Sequence, residues 1–514
     1  MELIHLLEHQ AATRPDRVAV THLKRQATFG RLWADVCRLA EYLKALDEPE
    51  GSRIALLFEN SIVYVTCYFA ATKAGYVIVP LDTSANPETL HSILHHCSPH
   101  TLLCNARFKR YLPKILAGGT PLKRIVTDQK LATELDGVTV QALPDVMPEI
   151  DVPLPKPQSM SYEHSPNELA AIYYTSGSTG ASKGVMLSHL NLVSNTLGTV
   201  EYLRLQPDDS VMVILPFYYI YGNSLLLTHI ACGGRLVIDN RFLYPEVVLD
   251  TMETEQVTGF SGVPSNFIIL LNNSTLKDRD LPHLRYFTQA GGAMAPEITQ
   301  RLTDAFPDKE VWIMYGQTEA APRASWLPPE KLREKMGSIG IAVPGVELHL
   351  VDDDGRPVPP GQTGQILVSG PNVMLGYWEN PAETAEVLRN GALMTGDLAR
   401  QDEDGYFFIV GRKKEIIKTG GNRVAAKEVE ECLLTFEKIH EVSIIGVPDD
   451  LLGEAVKAIV VLKKGQTAEP KDVQDHCKRH LAPHKAPKHV VFVDEMPKKQ
   501  SGKVDKQLLA AQYS

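Results

Sequence analysis

The sequence predicts an α/β protein with a large N-terminal domain of parallel, layered sheets and helices, followed by a small α+β C-terminal domain. Three observations support this prediction. Apolar, β-rich runs alternate with helix-like stretches along the first part of the chain. A turn-rich segment interrupts this alternation at about residues 345–410. After Gly411 the charge density rises, and strand-like and helix-like runs alternate again.

The parallel sheets are predicted from short runs that are apolar throughout, as expected for strands covered on both faces. The runs are RIALLFEN (53–60), TLLCNA (101–106), LAAIYYT (169–175), VMVILP (211–216) and GRLVI (234–238). Between several of them lie amphipathic stretches such as residues 28–46, whose apolar positions recur with the helical period. Strands that alternate with helices in this way favour parallel sheets.

The segment 345–410 reads as short strands separated by turns. Turn signals occur at DDDG (352–355), PPG (359–361) and DEDG (402–405). This spacing predicts a small β-barrel-like subdomain at the end of the N-terminal domain.

The C-terminal part contains the strand-like runs VSIIGV (442–447) and AVKAIVVL (455–462), separated by charged, helix-like segments. The stretch after Gly411 is about a hundred residues long, which is an ordinary length for a small domain. The predicted division is residues 1–410, a connection at 411–414, and residues 415–514.

Composition limits the function. The chain has 514 residues, a formal net charge of -10 and a sequence pI of about 6.0, so a polyanion such as nucleic acid is not expected as a partner. Seven scattered cysteines without a CxxC pair indicate reduced thiols, and the N-terminus lacks the pattern of a signal peptide. We therefore expect a cytoplasmic location.

One segment is long and uncharged enough to resemble a membrane span. Residues 210–234 contain no Lys, Arg, Asp or Glu. Pro216, Gly222 and Asn223 interrupt the segment, and a buried strand, a loop and a buried helix explain it better. No integral membrane segment is expected.

The most informative segment is YYTSGSTGASKGVMLSH (173–189). Glycines allow backbone N–H groups to approach an anion, hydroxyls add donors, and a lysine adds positive charge. The segment is not a Walker A loop, because Ser182 stands where that pattern has glycine before the lysine. It predicts a phosphate-binding loop made of Thr175, Ser176, Gly177, Ser178, Thr179, Gly180 and Lys183.

Together with four later segments, this loop resembles the adenylate-forming superfamily of acyl-CoA synthetases, luciferases and peptide-synthetase adenylation domains. The segments are MYGQTEA (314–320), TGDLAR (395–400), GRKKEIIKTGG (411–421) and PKKQSGKVDK (497–506). The resemblance implies a two-step reaction. A carboxylate attacks the α-phosphate of ATP to give acyl-AMP and pyrophosphate, and the thiol of CoA or of phosphopantetheine then displaces AMP. Because a carboxylate and a triphosphate repel each other, such a site needs cations and positioning.

The resemblance assigns roles around the ATP. Thr318 would contact the α-phosphate, Glu319 would hold Mg²⁺, and Lys503 would be the catalytic lysine of adenylation. Asp397 would bind the ribose hydroxyls with support from Arg412. Further nucleotide contacts are expected from Tyr315, Gly316, Gln317, Gly292, Ala293 and Lys418.

The resemblance also implies a mobile C-terminal domain. That domain rotates between the two half-reactions in the family, and Lys414 matches the pivot residue. Gly420 and Gly421 would then lie on the face that turns inward for thioester formation.

The acyl pocket is expected at three segments, PFYYIYGNS (216–224), FSGVPS (260–265) and QAGGAM (289–294). Its predicted residues are Tyr219, Ile220, Tyr221, Ser224, Gly262, Val263, Ala290 and Gly291. No aspartate lies between Pro216 and Leu227 to pair with an α-ammonium group, so an uncharged acyl or aryl chain is expected instead of an amino acid. If the first segment is extended, Tyr219 and Tyr221 point to the same side.

The thiol acceptor stays open at this stage. The ending GKVDK is more like peptide-synthetase domains, whereas GQTE and SKGVMLSH look more like acyl-CoA synthetases. An adenylation enzyme that loads a carrier protein is therefore the alternative to an acyl-CoA synthetase, and a non-catalytic nucleotide-binding protein is a remote one. The sequence allows a monomer or a homodimer.

Overall fold

The computed structural model of the chain describes residues 1–49, 51–131, 135, 137–146, 165–176, 182–359, 361–498 and 504–513. The chain divides into two compact units. The first contains residues 1–348 and 368–393, and the second contains 349–367 and 394–514.

A nine-stranded sheet of the first unit is parallel through its centre, with antiparallel strands at both ends. The central strands Ser210–Val213, Gly259–Gly262 and Tyr286–Gln289 are buried at every position, as expected for a parallel sheet covered on both faces. In spatial order the strands are Ile341–Ala342, Arg323–Leu327, Glu310–Gly316, Tyr286–Gln289, Gly259–Gly262, Ser210–Val213, Arg235–Ile238, Val18–His22 and Arg25–Thr28.

The first unit also contains an eight-stranded sheet. Its parallel strands end in an antiparallel hairpin formed by Leu169–Ser176 and Ser182–Ser188. In spatial order the strands are Gly376–Tyr377, Ser182–Ser188, Leu169–Ser176, Val77–Pro80, Arg53–Leu57, Thr101–Cys104, Arg124–Thr127 and Thr139–Ala142.

The turn-rich segment forms a five-stranded sheet. Its strands are Glu347–Val351, Gly364–Ser369, Ala392–Gln401, Leu388–Arg389 and Phe407–Arg412. Two of the predicted turns close in the same way. Oδ1 of Asp352 accepts from the backbone N–H groups of Asp354 and Arg356, and Oδ1 of Asp402 accepts from those of Asp404 and Tyr406.

The second unit has a sheet covered on both faces. Its strands are Asn422–Ala425, Ile416–Thr419, Gly453–Leu462, Ile439–Asp449 and His489–Phe492. Because side chains alternate across a strand, neighbouring residues of one strand pack into two hydrophobic cores on opposite faces of the sheet. Ile444 packs with helix residues Val429 and Val473, whereas Ile445 packs with Leu509 of the last helix.

The α-helices lie between the strands or against the sheets. Their bounds are Ile4–Thr13, Phe29–Lys44, Ile62–Lys73, Pro87–Cys97, Leu112–Leu116, Leu143–Val146, His189–Tyr202, Ile220–Cys232, Pro245–Thr254, Pro264–Asn273, Pro296–Ala305, Pro381–Val387, Ala426–Leu434, Pro470–His480 and Lys506–Tyr513. The amphipathic stretch predicted at 28–46 is the helix Phe29–Lys44, and its N-terminus is capped by Thr28.

The predicted fold class is confirmed. The uncharged segment 210–234 forms a buried strand, Ser210–Val213, and a buried helix, Ile220–Cys232, as predicted. Among the described residues, no helix combines the length and the apolar character that crossing a membrane requires.

Candidate active site

The predicted phosphate loop joins two antiparallel strands of the first unit. Thr175 pairs with Lys183 and Ser176 pairs with Ser182, so the two strands lead directly into the loop and out of it. The loop residues Gly177, Ser178, Thr179 and Gly180 lie outside the described residues. Lys183 is thus fixed on a strand at the point where the chain leaves the loop.

Lys183 and Glu319 are connected through one aromatic residue. The Lys183 ammonium forms an ion pair with Glu383 and lies 5.4 Å from the ring centroid of Tyr377. The Tyr377 hydroxyl donates a hydrogen bond of 2.8 Å to Oε1 of Glu319. This Lys183–Tyr377–Glu319 chain brings together the predicted lysine of the phosphate loop and the predicted magnesium ligand.

Tyr377 takes this position because residues 375–378 run along the phosphate-loop hairpin. Backbone N–H groups of Leu375 and Trp378 donate to the carbonyls of Met186 and Gly184 at 2.9 and 2.7 Å. Burial raises the pKa of Tyr377, and the negative charge of Glu319 raises it further. The hydroxyl therefore stays protonated at physiological pH and is fixed as the donor to Glu319.

The turn that carries Thr318 and Glu319 follows the strand Glu310–Gly316. A Cβ at Gly316 would overlap the backbone carbonyl of Pro322, so only glycine fits where the two chain segments approach. The turn is a short 3-10 helix, Thr318–Ala320, in which the Thr318 side chain is buried. The Met374 N–H donates to the Glu319 carbonyl at 3.0 Å and ties the turn to the neighbouring chain segment.

Three buried asparagines hold the same turn, and no motif in the sequence predicts them. Nδ2 of Asn372 donates to the carbonyls of Ala320 and Arg323, each at 3.0 Å. Asn195 donates to the Arg323 carbonyl at 2.7 Å and accepts from the Arg323 N–H at 3.1 Å. Asn191 donates to the carbonyls on either side of Asn372, both at 2.8 Å. These side-chain hydrogen bonds take the place of a regular ladder and hold the turn from three sides.

The described residues fit a magnesium ion at Glu319. Mg²⁺ prefers oxygen ligands and is usually held by one or two carboxylates together with substrate phosphates and water. Glu319 supplies such a carboxylate, and the Tyr377 hydroxyl orients it. The ion would neutralise phosphate charge, and Lys183 would supply additional positive charge to the same site.

The two tyrosines of the predicted acyl pocket do not point to the same side, so that expectation is wrong. Ile220 begins the helix Ile220–Cys232, and consecutive side chains of a helix do not alternate as they do in a strand. Tyr219 is 39% exposed, whereas Tyr221 is 2% exposed. The Tyr221 hydroxyl lies 3.0 Å from Oγ1 of Thr288, a residue of a central parallel strand. Within the same helix the predicted pocket residues Ile220 and Ser224 are buried.

The other two pocket segments follow the carboxyl ends of adjacent parallel strands, where ligands of α/β sheets usually bind. Gly262 pairs with Gln289 in the register of these strands. A Cβ at Gly291 would lie 3.1 Å from Cγ1 of Val263, so the two loops are brought together. Gly291 has a φ of +83°, and Gly292 accepts from Nε2 of Gln289 at 2.7 Å. Ala290 is buried and Ala293 is exposed.

The second unit contains the predicted ribose site. Asp397 and Arg412 are partners on adjacent antiparallel strands, and Nε of Arg412 lies 2.9 Å from Oδ1 of Asp397. The Asp397 side chain is buried, and its backbone N–H donates to Oγ1 of Thr395 at 3.1 Å. The two residues that the resemblance assigns to the ribose therefore lie side by side.

The hinge and thiol-side residues also lie in the second unit. Lys414 and Lys418 are exposed. Gly420 and Gly421 form a two-residue turn between Thr419 and Asn422, with φ of +54° and +80°. Such a turn needs residues that tolerate positive φ, which explains the glycine pair structurally.

Lys503 and the four residues before it lie outside the described residues, whereas Lys498 and Val504 are described. Lys498 and Val504 form an antiparallel bridge. Lys506 then forms ion pairs with Glu415 at 2.7 Å and Glu430 at 3.0 Å. The second unit therefore holds the described residues on either side of the predicted catalytic lysine.

Within each unit the fold brings some of the predicted nucleotide-binding residues close together, and the pattern is that of an acid-activating enzyme that uses ATP. Comparisons with known proteins agree. The AMP-binding enzyme family matches residues 7–378, and the AMP-binding enzyme C-terminal domain matches residues 428–503.

Characterised relatives match along nearly the whole chain. A feruloyl-CoA synthase from Amycolatopsis sp is 34% identical and covers 96% of this chain and 96% of its own. A long-chain-fatty-acid–CoA ligase from Yersinia pestis is 33% identical, with 98% of this chain and 92% of its own covered. The crystal structure of ATP-bound MatB from Rhodopseudomonas palustris superposes with a TM-score of 0.86 at 30% identity, covering 100% of this chain and 99% of that one.

The chain therefore belongs to the AMP-binding enzyme family. It is an AMP-forming acid–thiol ligase that activates a carboxylic acid with ATP.

Proposed function

We propose that this ligase forms an acyl-adenylate at the site described above and transfers the acyl group to CoA. The observation that carries the proposal is the Lys183–Tyr377–Glu319 chain at the base of the phosphate-loop hairpin. It supports the proposal because a cation and a carboxylate suited to Mg²⁺ lie close together at this hairpin, as a reaction between a carboxylate and a triphosphate requires.

In the first step a carboxylate oxygen of the acid forms a bond to the α-phosphorus of ATP. The bond from that phosphorus to the bridging oxygen breaks, and pyrophosphate leaves with the electron pair. We assign Thr318 to the α-phosphate and Lys503 to the charge that develops between the reacting oxygens. Asp397 and Arg412 would hold the ribose, and their ion pair on adjacent strands and the buried Asp397 carboxylate support this assignment.

In the second step the thiol sulfur bonds to the acyl carbon and AMP leaves. The incoming thiol and Lys503 would require access to the same carbonyl, so we propose that residues 415–514 rotate about Lys414 between the steps. Gly420 and Gly421, at the tip of an exposed hairpin, would then face the thiol. This assignment is supported by the positions of these residues within the second unit.

CoA is the favoured acceptor because the relatives named above are CoA ligases. A stand-alone enzyme that loads a carrier protein is the second candidate, and the ending GKVDK favours it. We propose a cytoplasmic location, supported by seven free cysteines. Relatives of equal similarity act on ferulate and on long-chain fatty acids, so similarity alone does not select the acid.

Acid-dependent exchange of labelled pyrophosphate into ATP tests the first step. Fatty, aryl and amino acids would be compared, with Lys503→Ala beside the wild type. We expect exchange with one class of acid and at least a hundredfold loss in the variant. Exchange that survives in Lys503→Ala would refute the role of the lysine, and exchange only with amino acids would refute the argument from the missing aspartate. Product formation with CoA and with a phosphopantetheinylated carrier protein then identifies the acceptor.

A further inference from the structure

Arg323 is a buried arginine that the family motifs do not include. It lies on the strand Arg323–Leu327, opposite Gly316 in register, and only 3% of its surface is exposed. Arginine stays charged in proteins, so this is a full positive charge inside the first unit. Its backbone is held at both the N–H and the carbonyl by Asn195, which fixes where the side chain begins.

The guanidinium has no carboxylate partner among the residues that the structure describes. No ion pair joins it to an acidic side chain within 4.0 Å there, and its Nε has no hydrogen-bond acceptor. Most buried arginines of proteins are paired, because an unpaired buried charge is costly. The Arg323 charge therefore calls for an anion that is not part of the described chain.

The guanidinium lies against a residue of the predicted acyl pocket. Its central carbon lies 4.1 Å from the ring centroid of Tyr221, a contact that stabilises the cation but provides no acceptor for Nε. The Tyr202 hydroxyl forms a side-chain hydrogen bond with Arg323 and is a neutral partner. Burial raises the pKa of Tyr202 to about 12, and the nearby Arg323 charge opposes this rise. Neither tyrosine is ionised at physiological pH, so neither neutralises the arginine.

We infer that Arg323 binds a second anionic group at the far end of the acid, so that this ligase prefers dicarboxylic acids or similar dianions to simple fatty acids. This inference rests on the proposed function, because the first carboxylate must be the one that is adenylated. It changes the expectation of an uncharged chain and strengthens the case against amino acids. A positive charge in the pocket repels an α-ammonium group, and no aspartate between Pro216 and Leu227 offsets it.

Matched pairs of acids test the inference. Hexanoate would be compared with adipate, and para-methylbenzoate with terephthalate, by pyrophosphate exchange with wild type, Arg323→Leu and Arg323→Lys. We expect wild type to prefer the dicarboxylate of a pair. Arg323→Leu should reduce kcat/KM for that dicarboxylate about a hundredfold without reducing it for the methyl-terminated acid. Arg323→Lys, which keeps the charge, should reduce kcat/KM for the dicarboxylate by about tenfold or less.

Arg204→Leu is the matched control. Arg204 also lies over an aromatic ring, 5.5 Å from the Trp312 centroid, but its side chain is 60% exposed and paired with Glu310. Arg204→Leu should change kcat/KM by no more than about threefold for either acid of a pair. If wild type prefers the methyl-terminated acids and Arg323→Leu leaves the ratio unchanged, the inference is overturned while the proposed function stands.

Failure of the proposed function gives a different result. If no acid supports exchange in any variant, terephthalate binding to wild type and Arg323→Leu is measured by calorimetry. Binding that is lost only in Arg323→Leu supports the anion site without adenylation. Equal binding, or none to either protein, overturns the inference.

Discussion

Lys506 offers a direct test of how the catalytic segment is held. Its ammonium lies 2.7 Å from Glu415 and 3.0 Å from Glu430, and its side chain is 29% exposed. Burial by itself lowers the pKa of Lys506, but the charges of Glu430 and Glu415 outweigh it and raise the pKa. The residue is therefore a cation at every pH at which the enzyme would work.

Replacing Lys506 with methionine removes this cation and leaves two carboxylates facing each other. Breaking a fully buried ion pair costs about 3–5 kcal/mol. Because Lys506 is partly exposed, we expect Lys506→Met to weaken the docking of the last segment, residues 504–513, by about 2–3 kcal/mol. That difference raises the population of the undocked segment by about 30- to 150-fold. Pyrophosphate exchange should then fall at least about tenfold, since Lys503 lies three residues away.

Two measurements follow the same variant. Hydrogen exchange at the buried residue Leu509, whose N–H donates to Asp505 at 3.0 Å, reports docking of the last helix. Pyrophosphate exchange reports adenylation. The control is Lys498→Met, because Lys498 is 49% exposed and pairs with Glu441 at 3.2 Å on the same segment. The reasoning fails if Lys506→Met keeps wild-type Leu509 protection and wild-type exchange.

Three further predictions concern the first unit. Tyr377→Phe removes the donor to Glu319 and should raise KM for MgATP about fivefold or more, measured by steady-state kinetics. Gly316→Ala places a Cβ against the Pro322 carbonyl and should lower the unfolding temperature by several degrees and abolish exchange. Burial lowers the pKa of His229 to about 4, so its contribution to stability is complete above about pH 6.5 and is lost as the pH falls towards 4. Urea titrations should show that the free energy of unfolding falls between pH 7 and pH 5 by about 2 kcal/mol less in His229→Gln than in wild type.

Each of these has its own contrary result. Unchanged KM in Tyr377→Phe would show that the hydroxyl does not orient Glu319. For the unfolding temperature, Gly292→Ala is the control for Gly316, since Gly292 does not have a positive φ and a Cβ there would make only an ordinary contact of 3.4 Å with Pro264. Equal losses for the two glycine variants would exclude the overlap as the cause. Identical pH dependence of wild type and His229→Gln would mean that folding does not shift the pKa of the imidazole.

Much of the fold could be predicted because its strands are apolar at every position. The runs around 101–106 and 211–216 carry this pattern and form the strands Thr101–Cys104 and Ser210–Val213. The segment 216–224 was misjudged, because Gly222 and Asn223 suggested a loop. In the structure Gly222 allows the first turn of a helix to approach the Pro216 carbonyl, which a Cβ would overlap.

The site was predictable only where its residues are close in sequence. Glu319 and Lys183 lie in recognisable motifs, but the residue between them, Tyr377, is far away in the chain and belongs to no motif. The same is true of Asn372, since a single asparagine in a sequence looks like any polar surface residue. Its importance follows from two carbonyl groups that only the folded chain brings within 3.0 Å.

The buried asparagines make the backbone position of residue 323 independent of the side chain at that residue. Asn195 and Asn372 hold the backbone of residue 323 through its N–H and carbonyl, and neither contact depends on which side chain that residue carries. If Arg323 binds the acid as inferred above, substitutions at this position can change the acid preference without moving the turn that bears Thr318 and Glu319. The position is thus open to change during evolution or by design, and a new acid preference can arise there in a single substitution while the adenylation chemistry is inherited intact.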